Sequence, residues 1–217
     1  MDYAMARALM CAEIGDEAMR FYDLLGSGSL SDEEKSAYRQ LINVDSTGQD
    51  VYAMSDVTLM GSLKRLSALL EKHYGSKVVI LIDEYDVPLA KAHEQGYYDQ
   101  MIVLIRNMFE SALKTNDSLH FAVLTGCLRV SKESIFTGLN NMLVFSITDP
   151  ECDSYFGFTD DEVREMLKYY ELDDKYDVVK EWYDGYRFGD VDVYCPWDVI
   201  SYVNKLLVKR NWQPQKD

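Results

Sequence analysis

The sequence predicts an α/β protein: a parallel sheet with flanking helices, followed by a small helical subdomain. Three observations carry that reading. "KVVILID" is a continuous apolar, β-branched run of the kind found in strands covered on both faces of a parallel sheet. A helical stretch, "YYDQMIVLIRNMFESALKTN", separates it from a second strand, "LHFAVLTG", an order that implies a right-handed parallel crossover. Beyond Asp149 the apolar spacing becomes helical again.

The N-terminal part reads as helix. "DYAMARALMCAEIGDEAMRFYDLL" repeats apolar residues every three or four positions, and "GSGSL" interrupts it. Ser31 with Glu34 is a capping-box pair that opens a second, short helix. "NVDSTGQD" is a polar loop. From Asp56 onward Leu59, Leu63, Leu66 and Leu70 share one helical face, and Gly75 supplies the stop. After the two strands, "MLVFSIT" reads as a third.

The second subdomain opens on another capping box, Thr159 with Glu162. "DKYDVVKEWYDG" reads as a helix closed by Gly185, and Pro196 stands where it begins a third helix, "PWDVISYVNKLL". The expected division is therefore 1–150 for the α/β core and 151–217 for a helical lid.

Composition excludes several functions. Lys and Arg number 22 against 37 Asp and Glu, a formal charge of −15, and such a surface repels phosphate backbones. Direct nucleic-acid binding is not expected, although a local pocket for a nucleotide needs only two or three cations. Cys11, Cys127, Cys152 and Cys195 form no C-x-x-C pair, and His73, His93 and His120 are scattered, which argues against structural zinc. No leader pattern and no membrane-length apolar run occurs, so a cytoplasmic protein without membrane contact is expected.

Ligands of open α/β sheets bind at the carboxyl ends of the strands. The first strand delivers Asp83 and Glu84 there; the second delivers Thr125 and Gly126, with Arg129 just beyond. An aspartate ending an apolar strand suits magnesium, often held through water. An adjacent glutamate can orient an attacking water, and a threonine on the neighbouring strand can sense a terminal phosphate. A blander reading is that these acids merely start a loop or cap a helix, and Asp86 is expected to cap or pair locally. The phosphate-binding sequence G-x-x-x-x-G-K-[ST] is absent, and "LLGSGSLSDEEKS" lacks both its spacing and a preceding strand. Ser131, Ser134 and Thr137 have no histidine near them in sequence, so turn formation and capping account for them, as loop support does for Asn140 and Asn141.

Four segments in order, "VVILIDEYDVPL", "AVLTGCLRVSKESIFTGLNN", "FGFTDDEVREML" and "VKEWYDGYRFGDVDVYCPWDVI", resemble the bacterial AAA-ATPase-like family. That family is related to STAND-type and archaeal ATPases and often carries a C-terminal PD-(D/E)XK nuclease-like domain. The likeness spans roughly Leu59 to Val203. It implies a partial P-loop NTPase-like sheet, with Asp83 as the Walker B aspartate on Mg2+ and Glu84 as the catalytic glutamate. It further implies Thr125 as the sensor and Arg129 and Lys132 as phosphate contacts for ATP. Asp184, Gly185 and Tyr186 match a lid motif, better explained as a helix cap with aromatic packing. Cys195 and Asp198 stand where the family commonly has Asn and Ser.

The family's N-terminal phosphate loop and C-terminal domain are not in this sequence. The expectation is a truncated module with the Walker B half, weakly active or inactive alone. Losing neighbouring strands would leave a sheet edge open for self-association or another protein. The alternative is a non-enzymatic acidic interaction or inhibitor protein, whose surface suits a basic nucleic-acid channel. A metal-dependent hydrolase built on Asp83, Glu84 and Asp86 ranks last, because two-metal sites draw carboxylates from several strands.

Overall fold

The computed structural model describes residues 1–44, 52–127, 135, 136, 139 and 142–209. It divides into two compact units, Met1–Asn141 and Met142–Asp217.

The first unit is helix-rich, with one parallel pair of strands. Helix α1, Tyr3–Met19, starts at Asp2, whose side chain accepts from the Met5 amide, and runs into a 3-10 turn at Tyr22–Gly26. Helix α2, Asp32–Arg39, opens on the expected reciprocal capping box of Ser31 and Glu34. The long helix expected from Asp56 is two helices, α3 (Asp56–Met60) and α4 (Ser62–Tyr74), divided at Gly61. Ser62 explains part of that division: its hydroxyl donates to the Leu59 carbonyl at 2.7 Å. Gly75 closes α4 with a left-handed cap, φ 72°.

Strand β1, Val78–Ile82, is followed by α5, Val87–Gln95, a helix the sequence reading left unassigned, and then by the expected helix α6, Tyr98–Phe109. A π-helical turn at Glu110–Lys114 then leads to β2, Leu119–Leu124. The two strands pair in parallel, with Ile80 opposite Ala122 and Ile82 opposite Leu124. Val78, Ile82 and Leu124 pack on a helical core that includes Tyr38, Leu59, Leu66, Leu89, Met101, Leu104 and Phe109. Tyr38 is anchored by its hydroxyl, which donates to the Ala18 carbonyl at 2.7 Å, and burial pushes its pKa up to about 12.

The opposite face of the strands corrects one expectation. Val79 opposite Phe121 and Leu81 opposite Val123 are all exposed, Leu81 by 73%. The β1 run was expected to be covered on both faces. Among the described residues helices cover one face only, since side chains alternate along a strand and Val79, Leu81, Phe121 and Val123 face solvent.

The expected third strand is also corrected. Met142–Ser146 is not in a strand, and Leu143, Val144, Phe145 and Ile147 are exposed. Its polar groups bond locally instead: the Ser146 amide donates to the Asp149 carboxylate, and the Asp149 amide donates back to the Ser146 carbonyl at 3.0 Å. An apolar run supplies β propensity but no partner strand.

The second unit contains α7 (Asp160–Tyr169), α8 (Tyr176–Tyr183) and α9 (Pro196–Val208). Thr159 and Glu162 form the expected capping box, and Pro196 occupies the first turn of α9. The unit is not purely helical, however. β3 (Phe158–Thr159), β4 (Asp184–Phe188) and β5 (Val191–Tyr194) form an antiparallel sheet in the order β3-β5-β4. Gly185 therefore lies in a strand and does not close α8. Gly189 turns the hairpin at φ 49°, and a Cβ there would lie 2.8 Å from the Asp149 carbonyl oxygen.

Asp160 ties this unit together. Its carboxylate accepts from the Tyr176 hydroxyl, from the Tyr194 hydroxyl at 2.8 Å and from Arg164 Nε at 2.7 Å, while the Arg164 guanidinium lies 3.5 Å from the Tyr176 ring centroid. Desolvation opposes the charge, but the hydrogen bonds from Tyr176, Arg164 and Tyr194 prevail and lower the pKa from 3.8 to about 2. Desolvation and the bond to Asp160 push Tyr194 upward.

A folded pKa below the unfolded value gives stability that is full above pH about 4 and lost as pH falls toward 2. The Asp160 side chain is 41% exposed, so the contribution is discounted to about 1 kcal/mol. Asp160→Asn is expected to lower urea stability by that amount at neutral pH, with the difference from the unmodified chain vanishing near pH 2. The three tryptophans, Trp182, Trp197 and Trp212, all follow Asn141 in sequence, so their fluorescence is the measurement.

Candidate functional site

The parallel register brings the two strand ends level. Ile82 pairs with Leu124, so Asp83 and Thr125 are each one residue beyond the paired strands. The ladder continues past them: the Thr125 amide donates to the Ile82 carbonyl at 2.9 Å, and the Tyr85 amide donates to the Thr125 carbonyl at 3.0 Å. Across this junction the Thr125 hydroxyl donates to Asp83 Oδ1, which also accepts from the Glu84 amide at 3.0 Å. One carboxylate oxygen thus receives two donors.

Glu84 follows in the left-handed region, φ 50°, where a side chain costs about 1 kcal/mol or more. Its carbonyl accepts from the Val87 amide at 3.1 Å, closing a tight turn. Both Asp83 and Glu84 are exposed, and no Lys or Arg among the described residues forms an ion pair with either. The structure therefore brings Asp83 to Thr125 and leaves Glu84 on the solvent side of the turn. Arg129 and Lys132, together with Ser131, Ser134, Thr137, Asn140 and Asn141, lie outside the described residues.

Asp86 behaves differently from its neighbours. It occupies the N-cap position of α5 yet makes no side-chain capping bond, and it is 2% exposed. A Cβ on Gly126 would lie 2.6 Å from Asp86 Oδ1 and 2.8 Å from Tyr85 Cε1. The Tyr85 ring meets Phe136 edge-on at 5.3 Å. Spacing in the sequence gave no sign that the third acid turns back under the end of β2.

The donor set has a definite chemistry. Among the described residues no group of three or more His, Cys, Asp or Glu is arranged to hold a metal ion. Asp83, Glu84 and Asp86 accordingly do not form a three-carboxylate cage, which removes the support for a metal-dependent hydrolase built on them. One exposed carboxylate beside a hydroxyl does fit a largely hydrated magnesium ion, which keeps several waters and takes one or two carboxylates together with substrate phosphates.

A second constellation went unread in the sequence. His73 Nδ1 lies 2.7 Å from Ser27 Oγ, and its Nε2 lies 3.3 Å from Asp23 Oδ2, which also accepts from the Tyr74 hydroxyl at 3.0 Å. The residue types are those of a serine-nucleophile triad, but Ser27 is only 3% exposed and its Oγ accepts from the Ser29 amide. A substrate carbonyl has no approach to that oxygen. The cluster pins the end of α4 to the turn at Tyr22–Gly26.

The family model described as predicted AAA-ATPase matches residues 27–136, a little more than half of the chain. Its span includes the strand ends and stops before the two C-terminal motifs. The chain is 32% identical over 142 residues to an uncharacterized protein in the vnfD 5′ region of Azotobacter chroococcum mcd 1. That alignment covers 64% of this chain and 26% of the relative, so the chain spans about a quarter of the relative's length. No solved structure matches.

The left-handed backbone at position 84 is directly testable. Glu84→Gly relieves it, and urea unfolding is expected to show stability equal to or up to about 1 kcal/mol above that of the unmodified chain. Glu84→Gln, which keeps the side chain's length, is expected to change stability by less than about 0.5 kcal/mol.

Proposed function

We propose that this chain, which belongs to the AAA-ATPase-like family, is the Walker B half of an ATP-binding and ATP-hydrolysing module with a partial P-loop NTPase-like sheet. The observation that carries the reading is the hydrogen bond from the Thr125 hydroxyl to Asp83 across the ends of two parallel strands. In this reading Asp83 holds hydrated Mg2+ through water, and Thr125 orients Asp83 and reads the terminal phosphate. Glu84, exposed beside them, orients the attacking water. Arg129 and Lys132 follow β2 in sequence and serve as the phosphate contacts. Magnesium supplies charge neutralisation between the acids and the phosphates.

The sequence given contains no G-x-x-x-x-G-K-[ST]. Without the backbone cradle and lysine of that sequence, affinity rests on a few side chains, and the chain alone binds nucleotide weakly and turns over little. Calorimetric titration with Mg-ATP is expected to give no binding tighter than about 100 μM, against the micromolar affinity common for complete sites. Micromolar binding would overturn the weight placed on the phosphate loop.

A second reading is favoured by the bare sheet face: a protein-interaction module, acidic and non-enzymatic. Val79, Leu81, Phe121 and Val123 form two exposed cross-strand pairs, and both outer edges of the two-stranded sheet lack a strand among the described residues. Parallel sheets are ordinarily covered on both faces, so the patch fits an apolar surface of a second copy or another polypeptide. The net charge of −15 disfavours nucleic acid as that partner. No helix among the described residues is long and apolar enough to cross a membrane. A cytoplasmic setting belongs to this proposal. Light scattering across a concentration series is expected to show self-association that Leu81→Lys abolishes; a chain monomeric throughout removes the second-copy arm.

A further inference from the structure

We infer that Asp86 is a positioning residue for the strand-end site, and that position 126 is glycine because the Asp86 carboxylate, with the Tyr85 ring beside it, occupies the space a side chain would need. The inference rests on the cation reading of Asp83 and Thr125 given above. It adds a role to a residue that sequence reasoning assigned to local capping or pairing.

Four observations converge on it. Asp86 is 2% exposed, whereas Asp83 and Glu84 in the same turn are exposed, so the chain buries the one acid that the strand end does not present. Asp86 stands at the N-cap position of α5 but its side chain makes no capping bond there, so its place is not set by capping that helix. Its Oδ1 lies where it would be 2.6 Å from a Cβ on Gly126, a separation real side chains do not tolerate. Finally, Gly126 immediately follows Thr125, whose amide and carbonyl are both held by the β1 side of the junction.

These contacts make a mechanical chain. Asp86 is fixed at the start of α5, where its carbonyl accepts from the Ala90 amide at 2.9 Å. Its carboxylate packs against Gly126, which sets where the backbone leaves β2. That in turn sets the position of Thr125, whose hydroxyl orients Asp83 Oδ1. The left-handed residue at 84 gives the turn the reversal needed for Asp86 to reach back under β2. Asp86 thus acts through Gly126 and Thr125 and touches no substrate. Groups that hold a ligand in place in this indirect way commonly change metal affinity when removed.

The test uses the full chain labelled with 15N and titrated with Mn2+, which stands in for Mg2+ and broadens nearby amide signals even at millimolar affinity. In the unmodified chain the Asp83 and Thr125 amides are expected to broaden first. Asp86→Ala is expected to raise the Mn2+ concentration needed by about ten-fold, while Asp86→Asn, which keeps the shape against Gly126, stays within about three-fold. A residue that only supports the fold would lower the melting temperature and leave the titration of the folded protein unchanged.

Where Asp86→Ala does not fold, Gly126→Ala probes the same contact from the other side. It is expected to weaken Mn2+ binding similarly, with Asp86→Ser restoring it in part, since the Tyr85 ring still crowds the added methyl group. Wild-type titration behaviour in folded Asp86→Ala, or in Gly126→Ala, overturns the role of Asp86 alone. A chain whose Asp83 and Thr125 amides ignore Mn2+ overturns the cation reading and this inference together.

Discussion

The parallel register of β1 and β2 is the constraint on which the rest depends. Opposing Ile82 to Leu124 makes Asp83 and Thr125 the next residues on adjacent strands, and two further ladder bonds carry the alignment through them. A slip of one residue would turn every inward side chain outward and separate the carboxylate from the hydroxyl. The register is held by burial on one face only, where Val78, Ile82 and Leu124 meet the helices. The chemistry at the strand ends and the packing of the unit are therefore one problem: whatever loosens the inner face displaces Thr125 from Asp83.

The same arrangement explains the exposed apolar pairs. Two strands alone are marginal in water, and here the helical layer provides the stability while the sheet serves mainly to aim its ends. Most of the buried side chains of this unit are on helices, from Cys11 in α1 to Phe109 in α6. The outward face, with Leu81 and Phe121, adds nothing to that core. Its sequence nonetheless remains that of a covered strand, and this mismatch between composition and surroundings supports the interaction reading independently of any nucleotide chemistry.

Local chemistry was legible in the sequence; geometry that depends on a turn was not. The boxes at Ser31 with Glu34 and at Thr159 with Glu162 could be read directly, because a cap is made between residues three apart and needs no tertiary partner. The placing of Asp83 and Thr125 at neighbouring strand ends followed from strand order alone. The fate of Asp86 did not, since it depends on Glu84 adopting a positive φ that nothing about a glutamate announces. The hairpin of the second unit was within reach: "RF" and "VDVY" flank Gly189-Asp190, a two-residue turn signal, but Gly185 read as a helix stop claimed the segment first. "MLVFSIT" shows the reverse error, because apolar and β-branched residues describe a strand's appetite for a neighbour without providing one.

Electrostatics sets the order of events in the proposed function. A triphosphate approaching a chain of formal charge −15 meets net repulsion, screened beyond about 8 Å at physiological salt but not within the site itself. Asp83 and Glu84 lie exposed at the point of approach, with no ion-pair partner among the described residues to cancel them. Nucleotide free of metal is consequently the wrong ligand for this surface. Only as the magnesium complex does it bring a positive centre to face the acids, and the cation that lowers the repulsion is also the one the proposal assigns to Asp83. Under that proposal the acids at the strand end favour the metal complex over the bare nucleotide before any phosphate contact is made.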